Sequence, residues 1–185
     1  MLKLLKILLI FLLVLLSGCS SKLQVYEIKK ESYQNEFKHV IKDESQSLPI
    51  VWEVPSNWSL MNNDSFSLVK YKLSDNAQLS VTKFPGTAGG ILSNVNRWRN
   101  QVGLDSISVM DLSKHCKSLT INNLTFTVVT VDGSQVNNSV LNYIYVAVLY
   151  HENVSWFFKF SGSKTSLISL IDSCNDFISS IKTHD

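Results

Sequence analysis

The residues best equipped for chemistry lie in one run, KFPGTAGGILSNVNRWRNQVGL, from Lys83 to Leu104. Gly86, Gly89 and Gly90 precede a segment with helical spacing, and unpaired amides at a helix start attract anions. Within that segment Ile91, Val95, Trp98 and Val102 fall in one narrow sector at 100° per residue. Asn94, Arg97 and Gln101 then line one shoulder of the helix and Arg99 the other. Such a row can fork hydrogen bonds to a carboxylate, a phosphate or exposed backbone. The same residues also suit a purely structural role, in which Arg97 holds a loop of its own domain and the glycines permit a tight approach. Ser93 is placed to cap the helix and Gly103 to end it.

Other chemistry is sparse. There is no Gly-x-Ser-x-Gly, no His-Glu-x-x-His, no Gly-x-Gly-x-x-Gly and no Gly-Lys-Ser/Thr phosphate loop. His39, His115, His151 and His184 are scattered, and His115 beside Cys116 is too small a set for a metal. The expectation is a non-enzymatic protein with no cofactor and no metal.

The amino terminus says where such a site would work. Lys3 and Lys6 lead into ten uncharged apolar residues, Ile7 to Leu16, followed by Ser17 and Gly18. This is the three-part pattern of an export signal and is too short to span a bilayer. Leu16-Ser17-Gly18-Cys19 resembles the lipobox of bacterial lipoproteins. The resemblance implies cleavage after residue 18 and acylation of Cys19, which would anchor the chain to a membrane. Ser20 after that cysteine resembles the outer-membrane sorting pattern, so the implied address is the periplasmic face of the cell envelope, outer membrane in preference to inner.

Cleavage would remove Lys3 and Lys6, bringing 17 Lys plus Arg down to 15, equal to the 15 Asp plus Glu. A neutral mature chain lacks the positive surplus that nucleic acid or a polybasic membrane contact requires. With Cys19 lipidated, Cys116 and Cys174 remain as a pair in an oxidising compartment, either bridged or as two buried thiols. Asn57, Asn63, Asn123, Asn137 and Asn153 head Asn-x-Ser/Thr triplets, which signify nothing in a bacterial lipoprotein.

Residues 19–47 are polar and mixed in charge and are expected to be a tether between the lipid and a single domain over 48–185. The domain is expected to be α+β. Ile50, Trp52 and Val54 alternate before a Pro55-Ser56-Asn57 turn. Segments 66–73 and 77–84 flank Ser74-Asp75-Asn76 as a hairpin, and 118–133 continues the β pattern as far as Asp132-Gly133. The run from Val140 to Tyr150 is almost wholly apolar, turns at His151-Glu152-Asn153 and returns from Val154 to Phe160. Such strands need cover on both faces, which the helix beginning at Ile91 and a closing amphipathic helix (Leu167, Ile171, Cys174, Ile178, Ile181) can supply. An antiparallel sheet of about five to seven strands with helices on both faces follows.

EVPSNW, WFFKFSG and the closing FISSI, across roughly residues 48 to 182, resemble the landmarks of the PsbP-like fold, a family of photosystem II extrinsic proteins and bacterial lipoproteins. NVNRWRNQVGL resembles a block of uncharacterised bacterial exported proteins. Neither resemblance implies an activity. Two expectations result: an envelope module that binds a protein partner or supports an assembly, or a receptor for a small ligand or anion using Gly86 to Gly90 and Arg97.

Overall fold

The computed structural model describes residues 48–62 and 64–184. The export signal, Cys19, the tether and Asn63 lie outside the described residues. Among the described residues there are nine strands: β1 (Ile50–Val51), β2 (Ser59–Leu60), β3 (Val69–Ser74), β4 (Ala77–Pro85), β5 (Cys116–Ile121), β6 (Leu124–Asp132), β7 (Tyr143–His151), β8 (Val154–Gly162) and β9 (Lys182–Thr183). The helices among them are α1 (Ile91–Gln101), α2 (Lys164–Ser169) and α3 (Ile171–Ser179), with a 3-10 turn at Leu112–Lys114.

Seven strands form one antiparallel sheet in the order β2-β3-β4-β8-β7-β6-β5. The expected opening strand does not join it. β1 pairs instead with β9, Ile50 opposite Thr183, and the ladder holds the two ends of the domain together. Period-two alternation sorts each long strand onto two faces. On one face Leu79, Phe126, Ala147, Leu149, Trp156, Phe158 and Phe160 pack against Leu167, Cys174, Phe177 and Ile178 of α2 and α3. On the other, Val129, Val131, Ile144, Val146 and Phe157 receive Val95, Trp98 and Val102, from α1 and the residue that caps it. Helices therefore cover both faces of an α+β sheet, as the continuous apolar strand β7 requires.

Local chemistry explains the connections. Asn122-Asn123 and Glu152-Asn153 all have positive φ, between 49° and 63°. Paired left-handed residues make the tight turn whose twist matches flanking strands, and asparagine tolerates it best after glycine. The segment 118–133 is consequently two strands, β5 and β6, joined at Asn122-Asn123. Gly103, at φ +82°, donates to Asn100 O while Leu104 N donates to Arg99 O at 2.9 Å, so α1 ends in a Schellman motif at the expected glycine.

Two further expectations need correction. Ser93 does not cap α1; the helix begins two residues earlier, after Gly90, with no side-chain cap. The closing helix is two helices, because Leu170 (φ −107°, ψ 8°) leaves helical geometry and Ser163 caps only the first. Of the two alternatives for Cys116 and Cys174, the structure has free thiols, Cys174 buried and Cys116 partly so. Cys116 packs with the α1 cluster and Cys174 with the α2–α3 cluster, so the sheet stands between them and no bridge can form. Burial raises both thiols, Cys174 to about 12, which favours their protonated form.

Candidate functional site

Strand register fixes what α1 faces. Val129, Val146 and Lys159 lie side by side on β6, β7 and β8, followed by Ser80 on β4 and Lys70 on β3. The helix covers the valines. Beyond them the row turns polar, and no helix lies over β4 and β3 on this face among the described residues. The step from covered to uncovered sheet is a cleft of ≈ 420 Å³ between α1 and β4. Arg97 and Gln101 form its helical wall, Ser80, Thr82 and Lys159 its polar floor, and Phe66, Phe84, Trp98 and Phe157 its aromatic part.

Its electrostatics are one-sided. Lys159 Nζ donates to Gln101 Oε1 at 3.1 Å, and Arg97 Nη2 donates to Asn94 Oδ1 at 2.6 Å. Both acceptors are neutral. Among the described residues neither cation forms an ion pair. Burial lowers the Lys159 pKa from its ordinary value, and the charges of Arg97 and Lys70 lower it further. Lys70 is itself paired with Asp64 at 2.7 Å. Asp64 also accepts from the amides of Phe66 and Ser67, holding Phe66 at the cleft mouth, and these partners, Lys70 first, keep its carboxyl well below the usual range.

The other sequence-predicted residues divide. Asn94, only 3% exposed, is not a ligand-facing shoulder residue: its amide donates to Ala88 O at 3.0 Å and Gly90 O at 2.7 Å. Buried carbonyls need such donors. The amide of Gly86 donates to Asn153 O, and its carbonyl accepts from Ser155 Oγ at 2.7 Å. Gly89 and Gly90 supply φ of +81° and +79° for the turn into α1. The glycine loop is thus fastened to its own domain. Gly90 and Asn94 border a separate cavity of ≈ 250 Å³ whose wall includes Thr125, Thr127 and Tyr150 and carries no charge. Arg99 points elsewhere, its Nε donating to Asp105 O at 2.7 Å.

Of the predicted set, Arg97 and Gln101 reach the cleft. Lys159, Ser80, Thr82 and Phe66 complete it and were not anticipated. Lys159 had a visible signal, since it is the one charge in WFFKFSG. Ser80 had none, because its place beside Lys159 depends on the β4–β8 register. Among the described residues no three His, Cys, Asp or Glu side chains converge as a metal site requires, and no helix is long and apolar enough to cross a membrane.

No protein-family model matches the chain, and no curated protein matches it. Among solved structures it is similar to cyanobacterial PsbP (CyanoP) from Synechocystis sp. PCC 6803, at 11% identity and a TM-score of 0.47, covering 76% of this chain and 96% of that one. It is also similar to a crystal structure from Bacteroides thetaiotaomicron VPI-5482, at 10% identity and a TM-score of 0.47, covering 74% of this chain. The match spans 46% of the Bacteroides chain. Likeness at this level carries no argument about activity; the fold class rests on the strand order itself.

Proposed function

We propose that this chain is a lipid-anchored, non-enzymatic receptor of the bacterial cell envelope that holds an anionic ligand in the cleft between α1 and β4. One observation supports the binding part: Arg97 and Lys159 line a half-open cleft, and among the described residues no carboxylate pairs with either. Lys159 is partly desolvated and feels the charge of the exposed Arg97, and an anion between the two offsets that cost. A concave cleft suits a small ligand better than a flat protein surface does, which favours the receptor over an assembly support. The lipid anchor rests on the lipobox at Leu16 to Cys19.

Two experiments test this reading. Titration calorimetry of the full chain in zwitterionic lipid nanodiscs, with empty discs as the blank, should detect binding of carboxylates or phosphates at low salt. Arg97→Gln and Lys159→Gln should each weaken it by about 10- to 100-fold. Affinity unchanged by both substitutions places the site elsewhere, and heat signals equal to the blank for every anion remove the receptor function. Separately, the native amino-terminal peptide should begin at Cys19 and carry acyl chains in mass spectrometry, and Cys19→Ala should abolish labelled palmitate incorporation. A lipid-free or uncleaved native terminus removes the anchor.

A further inference from the structure

The cleft is much larger than the anion that its two cations would hold. A water-sized group fills about 30 Å³, so a carboxylate or phosphate alone leaves most of ≈ 420 Å³ empty. The lining is also segregated. Along the floor, Ser80 is in register with Lys159, Thr82 with Phe157 and Phe84 with Ser155. Side chains two apart on a strand stand about 7 Å apart, so the floor passes from polar to aromatic over about 14 Å.

The other walls follow the same order. Gln101 holds Lys159 at the polar end, and Arg97 stands one helical turn along from it. Phe84 meets Phe157 edge to face with centroids 6.1 Å apart. Leu68 N donates to Val81 O, which runs the chain from Phe66 alongside the aromatic end of β4. Phe66 is 66% exposed, an aromatic residue held at the mouth by the Asp64 turn. A ligand's apolar part would cover it.

We infer that the ligand is an amphipathic anion: a carboxylate or phosphate head between Arg97 and Lys159, carrying a single ring or short chain that lies against Phe66, Phe84 and Phe157. This rests on the anion-receptor reading and adds to it the class of ligand. The head fixes orientation through charge-assisted hydrogen bonds, with the Ser80 and Thr82 hydroxyls beside it. The body supplies affinity chiefly by removing the exposed Phe66 ring from water.

The test compares matched pairs on the full chain in nanodiscs: acetate with 3-phenylpropionate and hexanoate, and inorganic phosphate with phenyl phosphate. Each tailed anion should bind roughly tenfold tighter than its bare partner, the gain of covering one ring or short chain. Phe66→Ala, at a position too exposed to decide folding, should bring the tailed-to-bare affinity ratio down towards one. Bare anions binding as tightly as tailed ones, still dependent on Arg97 and Lys159, would overturn the inference and leave the receptor standing. No anion of either kind binding overturns both. Within a supporting result, the better of 3-phenylpropionate and phenyl phosphate identifies the head group.

Discussion

Phe158→Ala is expected to destabilise the domain by about 3–5 kcal/mol, a large part of the 5–15 kcal/mol that holds a typical domain together. Phe158 is completely buried on β8, the central strand of the seven. Its ring meets Trp52 at 5.7 Å, Phe177 at 6.1 Å and Phe126 at 6.4 Å, all in tilted or edge-to-face contact. These neighbours come from three parts of the chain: the segment after β1, helix α3 and strand β6. One side chain thus joins the sheet to the helical layer and to the opening segment. Removing it forfeits the transfer energy of the ring and leaves a cavity that three anchored aromatics cannot collapse into. Urea unfolding of the full chain should show a lower midpoint with an unchanged slope. Phe66→Ala, measured in parallel, should move the midpoint by less than about 0.5 kcal/mol as an exposed position. A Phe158→Ala loss below about 1 kcal/mol would show that this ring is not the junction.

The contrast between Phe158 and its neighbour Lys159 also shows what a sequence can reveal. Period-two alternation assigns Trp156, Phe158 and Phe160 to one face and Phe157 and Lys159 to the other without any coordinates. The two helical stripes and the apolar continuity of β7 likewise dictate a sheet covered on both sides. Register and strand order are different in kind. That β8 lies between β4 and β7 depends on pairings across more than 70 residues, such as Leu79 with Phe160, and no local spacing encodes them. Lys159 was visible as a lone charge, but Gln101, its hydrogen-bond partner, is 58 residues away.

Sorting by residue type misled in an instructive way. Asn94, Arg97 and Gln101 look equivalent on a helical wheel, but a wheel does not show which carbonyls the preceding loop leaves unpaired. Asn94 satisfies Ala88 and Gly90 and so serves the loop, and only its oxygen remains for Arg97. The Asn122-Asn123 turn was legible, since adjacent asparagines tolerate two left-handed residues, and passed unread inside a run of β-formers. The split between α2 and α3 was not legible, because Leu167, Leu170, Cys174 and Phe177 keep a helical stripe straight through the break.

Lys159→Met should raise the stability of the unliganded protein and lower its affinity for anions by about 10- to 100-fold. The affinity change follows from losing one charge-assisted hydrogen bond of about 1.5–3 kcal/mol. The gain in stability has a separate cause. Burial, Arg97 and Lys70 hold the folded pKa of Lys159 below its unfolded value of 10.5. Between those two values the unfolded chain binds more protons than the folded one, so stability from this group rises with pH. The cost of charging Lys159 is therefore complete below its folded pKa, including at neutral pH. It lifts as pH climbs from the folded pKa towards 10.5.

Methionine fills similar volume without the charge, so the advantage of Lys159→Met should be greatest near neutral pH and shrink in the alkaline range. Burial lowers Lys83 and raises Tyr143 and Tyr145 in both proteins alike, so the difference between wild type and variant isolates Lys159. Unfolding midpoints across pH 7 to 10, together with anion titrations at neutral pH, read both effects. A variant that is no more stable at neutral pH, or that binds anions as tightly as the wild type, would show that Lys159 is an ordinary half-covered surface lysine. Greater stability with lost binding is the signature of a charge kept in the cleft for its ligand rather than for the fold.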